Sequence, residues 1–462
     1  MGEATRYESS AMAQRLLAVG ELYARRARER AECQLWAVDV TDAVAAEVSA
    51  VQNISHARAV AQVGYARTLT ERLPAVAKVF LRGTIDDRMV STLITRTHNV
   101  DDEVIGALDE ALAARVEKWM KLSKPKLRDR IDKCVAQFDA AGVRIPAEVE
   151  EHRYVDVEPS RSVGLAFLTG HLRAADGAAF DQRLAALAAT VCDHDPRSEQ
   201  QCRADACGAL GRNEATLACL CGRDDCPAAG RRAAAAVVIH VLADQATLDG
   251  HSDKPGYLKG FGILPAETVR DLAATATVKP LSVPNAEAVP GYRPAATTQE
   301  FLRWRDLTCR WPGCDKPAER CDIDHTVPWP AGPTHPSNLK HYCRTHHLIK
   351  TFYTGPNGWR DTQLPDGTVL LTAPTGHIYA SQPHGAALFP PLGHSTGALD
   401  LPAQMVEPGT DRCAMMPRRK QTRDQDRRDR ITAERRQRNE INAQQERQHQ
   451  AWLATTYEPP PF

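Results

Sequence analysis

Between Thr308 and Lys350 the chain carries C-R-W-P-G-C, then D-I-D-H, then N-L, then C-R-T-H-H-L-I-K. Cys309 and Cys314 have four residues between them, and Cys343 and His346 follow at the i,i+3 spacing of one helical turn. Two pairs of soft ligands about 30 residues apart are what a tetrahedral zinc site needs. No other feature restricts the local fold as strongly, because a metal cross-link fixes which backbone segments must meet. Cys321 lies close by and can compete as a ligand. The bland alternative is that these cysteines are core filler.

Inside that frame lie Asp324-His325, Asn338 and His347, polar residues that zinc binding does not require. On an extended segment Asp324 and His325 point to opposite sides. An imidazole titrates near neutral pH and suits a general base.

The stretch resembles the HNH (ββα-metal) endonuclease family, in the subclass where the first His is replaced by Asp. The wider region is similar to the actinobacterial 13E12-repeat proteins, which join a long helical domain of unknown function to a C-terminal HNH module. The matching segments are Asp249 to Gly262, Gly291 to Pro294 (G-Y-R-P), Arg305 to Lys350, and P-D-G-T…P-T-G over Pro365 to Gly376. The resemblance covers about residues 36 to 380, by pattern only over the helical part. It implies His325 as general base, Asp324 and His347 as ligands of a catalytic divalent ion, and Asn338 as a brace for the loop carrying His325. Family register also assigns His346 to zinc and His347 to the second ion. A hard oxygen ligand suits Mg²⁺ or Mn²⁺, and the imidazole also accepts transition metals. The zinc set departs from the commonest family pattern in its wider Cys309–Cys314 spacing and in having His346 where cysteine is usual.

The expected fold class is mainly α with small α+β parts: an N-terminal helical bundle and a zinc-stapled ββα-metal nuclease module. The 462 residues suffice for two or three cores. We place a mainly helical domain at 9–290, the nuclease module at 295–380, and an Arg/Gln-rich tail at 381–462. Val40, Val44, Val48 and Val51, then Leu108, Leu112, Val116 and Met120, repeat at helical spacing. A strand pair is expected near 152–169 and a buried strand over Val237 to Val241. Cys33 and Cys134 read as buried apolar fillers.

Lys+Arg and Asp+Glu are balanced at 58 each, so whole-chain charge gives no reason to expect nucleic acid. Local charge must do so: Lys350, Arg344, Arg310 and Arg305, with Arg303, are expected to face phosphate. DNA is the expected partner. Arg418 to Arg447 holds eleven Lys/Arg against six Asp/Glu, with Ile431 and Ile441 its two large apolar residues. Such a segment reads as a disordered tail or a solvated helix able to touch phosphate. The polar N-terminus and the lack of a long apolar run imply no membrane partner and a cytoplasmic location, where thiols stay reduced. A second group, Cys207, Cys219, Cys221 and Cys226, is a candidate four-thiolate zinc site, with Cys192 and Cys202 in reserve. Two other function classes stay open: a non-cleaving DNA-binding protein retaining the zinc-stapled fold, and a mobile-element-derived interaction protein self-associating through its N-terminal helices.

Overall fold

The computed structural model describes the chain except residues 1, 146–152, 161, 173, 227–239, 260–261, 275, 285–286, 356, 402–414 and 457–462, with the backbone alone at 174, 175 and 178. It is mainly helical with small antiparallel sheets, and its residues fall into two units, Met1–Ile145 with Leu281–Phe462, and Pro146–Pro280. The N-terminal helices share a unit with the metal-ligand region, and 146–280 stands as a unit of its own.

The N-terminal part folds as α1 (Gly2–Glu29), α2 (Val40–Gln52), α3 (His56–Glu71), α4 (Pro74–Leu81), α5 (Asp87–Arg96), α6 (Ile105–Ala113), α7 (Val116–Trp119) and α8 (Lys124–Phe138). Asp39 caps α2 by accepting from the Thr41 and Asp42 amides, and Asp86 caps α5 through the Met89 amide. Leu69, Leu73, Phe80, Leu93, Leu108, Leu112, Leu127 and Ile131 close one core. Val40, Val44 and Val48 are buried as their spacing predicts, whereas Val51, in the last turn of α2, faces outward. Cys33 and Cys134 are buried in the two cores of this unit.

The second unit holds β1 (Tyr154–Pro159) and β2 (Ala166–His171), an antiparallel hairpin with Tyr154 opposite His171. Then come α9 (Ala174–Ala188) and α10 (Glu199–Gly211), β3 (Val241–Leu242), α11 (Gln245–Leu248), β4 (Gly256–Leu258), β5 (Gly262–Leu264) and α12 (Ala266–Ala273). Most of the expected strand over Val237 to Val241 lies outside the described residues, and Val241 opens β3.

Back in the first unit, α13 (Ala296–Asp306) leads into the ligand-bearing loop. The hairpin β6 (Cys321–His325) and β7 (Leu339–Cys343) follows, then α14 (Arg344–Phe352) and the sheet β8 (Arg360–Gln363), β9 (Val369–Thr372) and β10 (Ile378–Ser381). This region has no separate core. Cys33, Val44, Val63, Trp311, Tyr342, Ile349, Trp359 and Leu371 belong to one continuous apolar cluster spanning α2, α3 and the hairpin. Ser49 on α2 donates to the Pro312 carbonyl at 3.2 Å. Gly313, at φ +75°, sits where an added Cβ would lie 2.5 Å from the Ile54 carbonyl oxygen.

The stretch after Ser381 is more ordered than its Pro, Gly and His content predicts. α15 (His384–Leu388) packs on α13 so closely that a Cβ on Gly385 would meet the Trp304 carbonyl oxygen, and Phe389 and Leu392 are buried. The polar tail forms α16 (Arg423–Thr456), and its first half is docked. Arg423 binds Asp39 (2.6 Å) and Asp42 (2.5 Å), and Arg67 binds Asp424 (3.1 Å). Arg144 and the Ile145 amide both reach Glu434 at 2.9 Å, Arg435 pairs with Asp139, and Arg438 donates to the Val143 and Arg144 carbonyls. Charge pairing holds this helix in place of an apolar face, which corrects the expectation of an undocked tail. Among the described residues no helix is long and apolar enough to cross a membrane.

Candidate metal centre

The β6–β7 register sets Cys321 opposite Cys343 and Asp324 opposite Lys340. Cys343 ends β7 and serves as N-cap of α14, so His346 falls in that helix's first turn. Cys309 and Cys314 come from the loop after α13. The ligand atoms of Cys309, Cys314, Cys343 and His346 all lie within 4.8 Å of one another, and all four residues are buried. His346 Nδ1 is 3.5 Å from Cys309 Sγ and 3.3 Å from Cys343 Sγ, while its Nε2 is buried without a hydrogen-bond partner. The ring is therefore turned to offer Nδ1 to the sulfurs. Trp311 stacks on it at 4.6 Å, and His56 from α3 meets it edge-on at 5.0 Å.

The Cys343 amide donates to Cys309 Sγ at 3.3 Å. Hydrogen bonds from Cys309, Cys314 and His346 hold the Cys343 sulfur far below the ordinary thiol range, whereas burial pushes Cys309 up. A cation bound at the centre would compensate the charge of the thiolates that ligate it. Three sulfurs and one imidazole in this arrangement fit a metal ion such as zinc. Cys321 is outside the set, its thiol donating to the Lys316 and Pro317 carbonyls.

Beside this centre the strand alternation of β6 turns neighbouring side chains to opposite faces. Asp322 and Asp324 face α14. His347 Nε2 lies 3.4 Å from Asp324 Oδ1, and its Nδ1 is held at 2.8 Å by Asp322 Oδ2. A carboxylate on one imidazole nitrogen fixes the tautomer and leaves the other available as a ligand. Asp322 was not singled out from sequence, although it sits two residues before Asp324 and so on the same strand face. Lys340, fully buried, bridges Asp324 (3.0 Å) and Asp361 (2.8 Å). Lys350 Nζ lies 2.9 Å from Asp324 Oδ2 and 2.5 Å from the His325 carbonyl. Burial alone would raise the Asp324 carboxyl, but Lys340, Lys350 and His347 together hold it well below the usual carboxylate range. Asp324 Oδ1 and His347 Nε2 are placed to share one ion, although Lys350 Nζ also lies 3.2 Å from Oδ1.

His325 turns the other way, toward a cleft of about 300 Å³ whose lining includes Tyr292, Arg293, Arg303, Ile323 and His341. His325 Nε2 is 2.9 Å from Thr334 Oγ1, and Thr334 donates its single hydroxyl proton to the Gly291 carbonyl at 2.6 Å. That bond assigns the His325 proton to Nε2 and the lone pair to Nδ1. Tyr292 stacks on the ring at 5.3 Å. Burial lowers the His325 pKa, with Lys340 and Lys350 adding to this against Asp324. Asn338 accepts from the Val327 amide (2.8 Å) and donates to the Val327 carbonyl (3.0 Å) and the Pro333 carbonyl (2.9 Å). It braces the loop after His325, while Thr334 and Tyr292 orient the imidazole itself.

The expected basic face is corrected in part. Arg305 and Arg310 are buried and tied to Asp306 at 2.9 and 3.0 Å, so neither can face phosphate. Lys350 is committed to Asp324. Arg344 is exposed beside Asp322, and Arg303 reaches the cleft. Trp311 and Trp359 are packing residues, but Trp329 is half-exposed against Tyr292. The second cysteine group is also revised: Cys192, Cys219, Cys221 and Cys226 converge, and Cys207 does not join them.

Residues 3–306 match the family described as a domain of unknown function, DUF222. The chain belongs to the DUF222 family. The DUF222 match ends at Asp306, the last residue of α13, so the Cys309–His346 centre and the β6–β7–α14 segment lie beyond it. Two proteins of Mycobacterium tuberculosis are similar over nearly the whole chain. Uncharacterized protein Rv3776 is 43% identical over 453 residues, covering 91% of this chain and 86% of the relative. Uncharacterized protein Rv2100 is 42% identical over 480 residues, covering 94% and 86%. No solved structure matches.

Proposed function

We propose that this DUF222 chain is a metal-dependent HNH endonuclease that hydrolyses DNA phosphodiester bonds in the reducing cytoplasm. The observation that carries the reading is the placing of Asp324 beside His347 at 3.4 Å, with His325 on the opposite face of β6 and its loop braced by Asn338, on one strand–strand–helix segment that also carries the Cys309–Cys314–Cys343–His346 cluster. His325, its pKa lowered by burial and its Nδ1 free of the Thr334 bond, takes a proton from the attacking water. Asn338 fixes the loop that carries it. Asp324 and His347 would hold a divalent ion such as Mg²⁺ or Mn²⁺, which when bound supplies Lewis-acid stabilisation of phosphate charge and of the departing oxygen. Arg293 and Arg303, lining the cleft beside His325, attract the phosphate backbone.

A second reading has one specific observation in its favour. Lys340 and Lys350 already neutralise Asp324, as a cation would, which suits a DNA-binding module that keeps the zinc-stapled fold without cutting. Incubation of the purified chain with supercoiled plasmid across Mg²⁺, Mn²⁺, Co²⁺ and Ni²⁺, with and without EDTA, separates the two. The nuclease reading expects nicked or linear product that EDTA abolishes. Retarded but intact plasmid under every ion supports the non-cleaving reading.

A further inference from the structure

The second cysteine group lies in the 146–280 unit, remote in sequence from the residues just discussed. That unit's α9–α10 pair closes on a small core: Leu184, Leu187, Ala188, Cys202, Ala206, Ala209 and Leu217. A core of this size stabilises weakly, and small cores are commonly reinforced by metals or disulfides. The loop beyond α10 returns to the end of α9 and is pinned there by hydrogen bonds. Leu217 donates to Thr190 Oγ1 at 2.9 Å and Leu220 to Asp195 Oδ2 at 2.9 Å, while Arg197 bridges Asp195, Asp205 and the Ala218 carbonyl. This clamp brings Cys219 and Cys221 against Cys192, which follows α9.

The four sulfurs of Cys192, Cys219, Cys221 and Cys226 lie within 4.8 Å of one another, with Cys192 and Cys219 at 3.5 Å. Tetrahedral zinc with Zn–S bonds of about 2.3 Å sets its sulfurs about 3.8 Å apart, whereas a disulfide requires about 2.05 Å. Gly222, at φ +66°, permits the turn between Cys221 and Arg223. Cys207 is excluded by its place on α10, where its thiol donates to the Arg203 carbonyl one turn back.

We propose that Cys192, Cys219, Cys221 and Cys226 bind one Zn²⁺ as four thiolates, fastening the 212–226 loop to the end of α9 and supplying the cross-link that this unit's core lacks. Binding releases the thiol protons to solvent and involves no redox change. The site is independent of the nuclease reading and of the Cys309 centre.

The test is elemental analysis of the full-length chain, expressed with zinc and purified under reducing conditions, as wild type, Cys219→Ser/Cys221→Ser, and Cys207→Ser. The double variant is expected to hold one zinc equivalent fewer than wild type, whatever the Cys309 centre contains, and Cys207→Ser the same number as wild type. Trypsin should then cut between residues 212 and 226 faster in the double variant, and in EDTA-treated wild type, than in zinc-loaded wild type. Equal zinc in wild type and double variant overturns the proposal. So does bound iron with visible charge-transfer absorption in place of zinc, or a Cys192–Cys219 disulfide in the reduced preparation. If the double variant is insoluble, Cys192→Ser and Co²⁺ titration of wild type serve instead. Absence of intense thiolate-to-Co²⁺ absorption beyond that of the Cys309 centre counts against the site.

Discussion

Asp306→Asn is expected to cost about 3–5 kcal/mol of stability, the range for removing one partner of a buried ion pair. Asp306 Oδ1 accepts from Arg305 Nε at 2.9 Å and Arg310 Nη1 at 3.0 Å, while Oδ2 accepts from the His341 amide and Nδ1, both at 3.0 Å. None of these side chains is more than 1% exposed. Asparagine keeps the shape but leaves two guanidinium ions buried without an anion, and its amide N–H groups must face other donors. At an effective dielectric of about 20, each unit-charge pair at 4 Å is worth about 4 kcal/mol before desolvation is subtracted, which agrees with the mutational range. With a urea slope of about 3 kcal/mol/M, the unfolding midpoint, followed by tryptophan fluorescence, falls by about 1–1.7 M. The pH dependence has a definite sign. Burial would raise the Asp306 carboxyl, but Arg305, His341 and Arg310 hold it far below its usual range. The wild type therefore keeps this contribution above the unfolded carboxylate value of about 3.9 and loses it as pH falls toward the lower folded value. The Asn variant lacks that acid slope. A midpoint shift below about 0.3 M, or an unchanged acid slope, would refute the assignment of Asp306 as the anion that holds the loop before Cys309.

Three further outcomes are expected. Asn338→Ala should lower plasmid cleavage by about 10²-fold or more through loss of the loop geometry around His325, with zinc content unchanged; a wild-type rate would remove Asn338 from the site. Cys343→Ser should release about one zinc equivalent and lower the melting temperature, since serine oxygen ligates zinc poorly; unchanged metal content contradicts the ligand set. Arg423→Ala, or about 1 M NaCl, should speed amide exchange over residues 423–442 because charge pairs to Asp39 and Asp42 anchor that helix; exchange insensitive to both would mean other contacts hold it.

The Cys309–His346 set was legible in the sequence because ligand chemistry restricts residue type and spacing together. So was the opposite facing of Asp324 and His325 along β6, since alternation follows from an extended backbone. Lys340 and Asp361 were not legible, because they reach Asp324 only through the hairpin register and the β8 position. The inward turn of Arg305 and Arg310 depends on burial of Asp306, which no local pattern signals. Docking of α16 escaped a reading based on apolar periodicity, because its contacts are charge pairs with residues some 290 to 380 positions away in sequence. Sequence proximity favoured Cys207 over Cys192, whereas the Asp195–Arg197 clamp brings the more distant cysteine to the cluster. The shared core of α2, α3 and the hairpin likewise rests on contacts such as Ser49 with Pro312, 263 residues apart.

The most direct test compares wild type with His325→Ala in single-turnover cleavage of a supercoiled plasmid at saturating enzyme, with zinc content and DNA binding measured on the same preparations. Removal of a general base costs on the order of 10²–10⁴ in rate. The account predicts a loss in that range with zinc stoichiometry and DNA affinity retained. A His325→Ala protein cutting at the wild-type rate, or a wild type that cuts with no divalent ion tried, would contradict it.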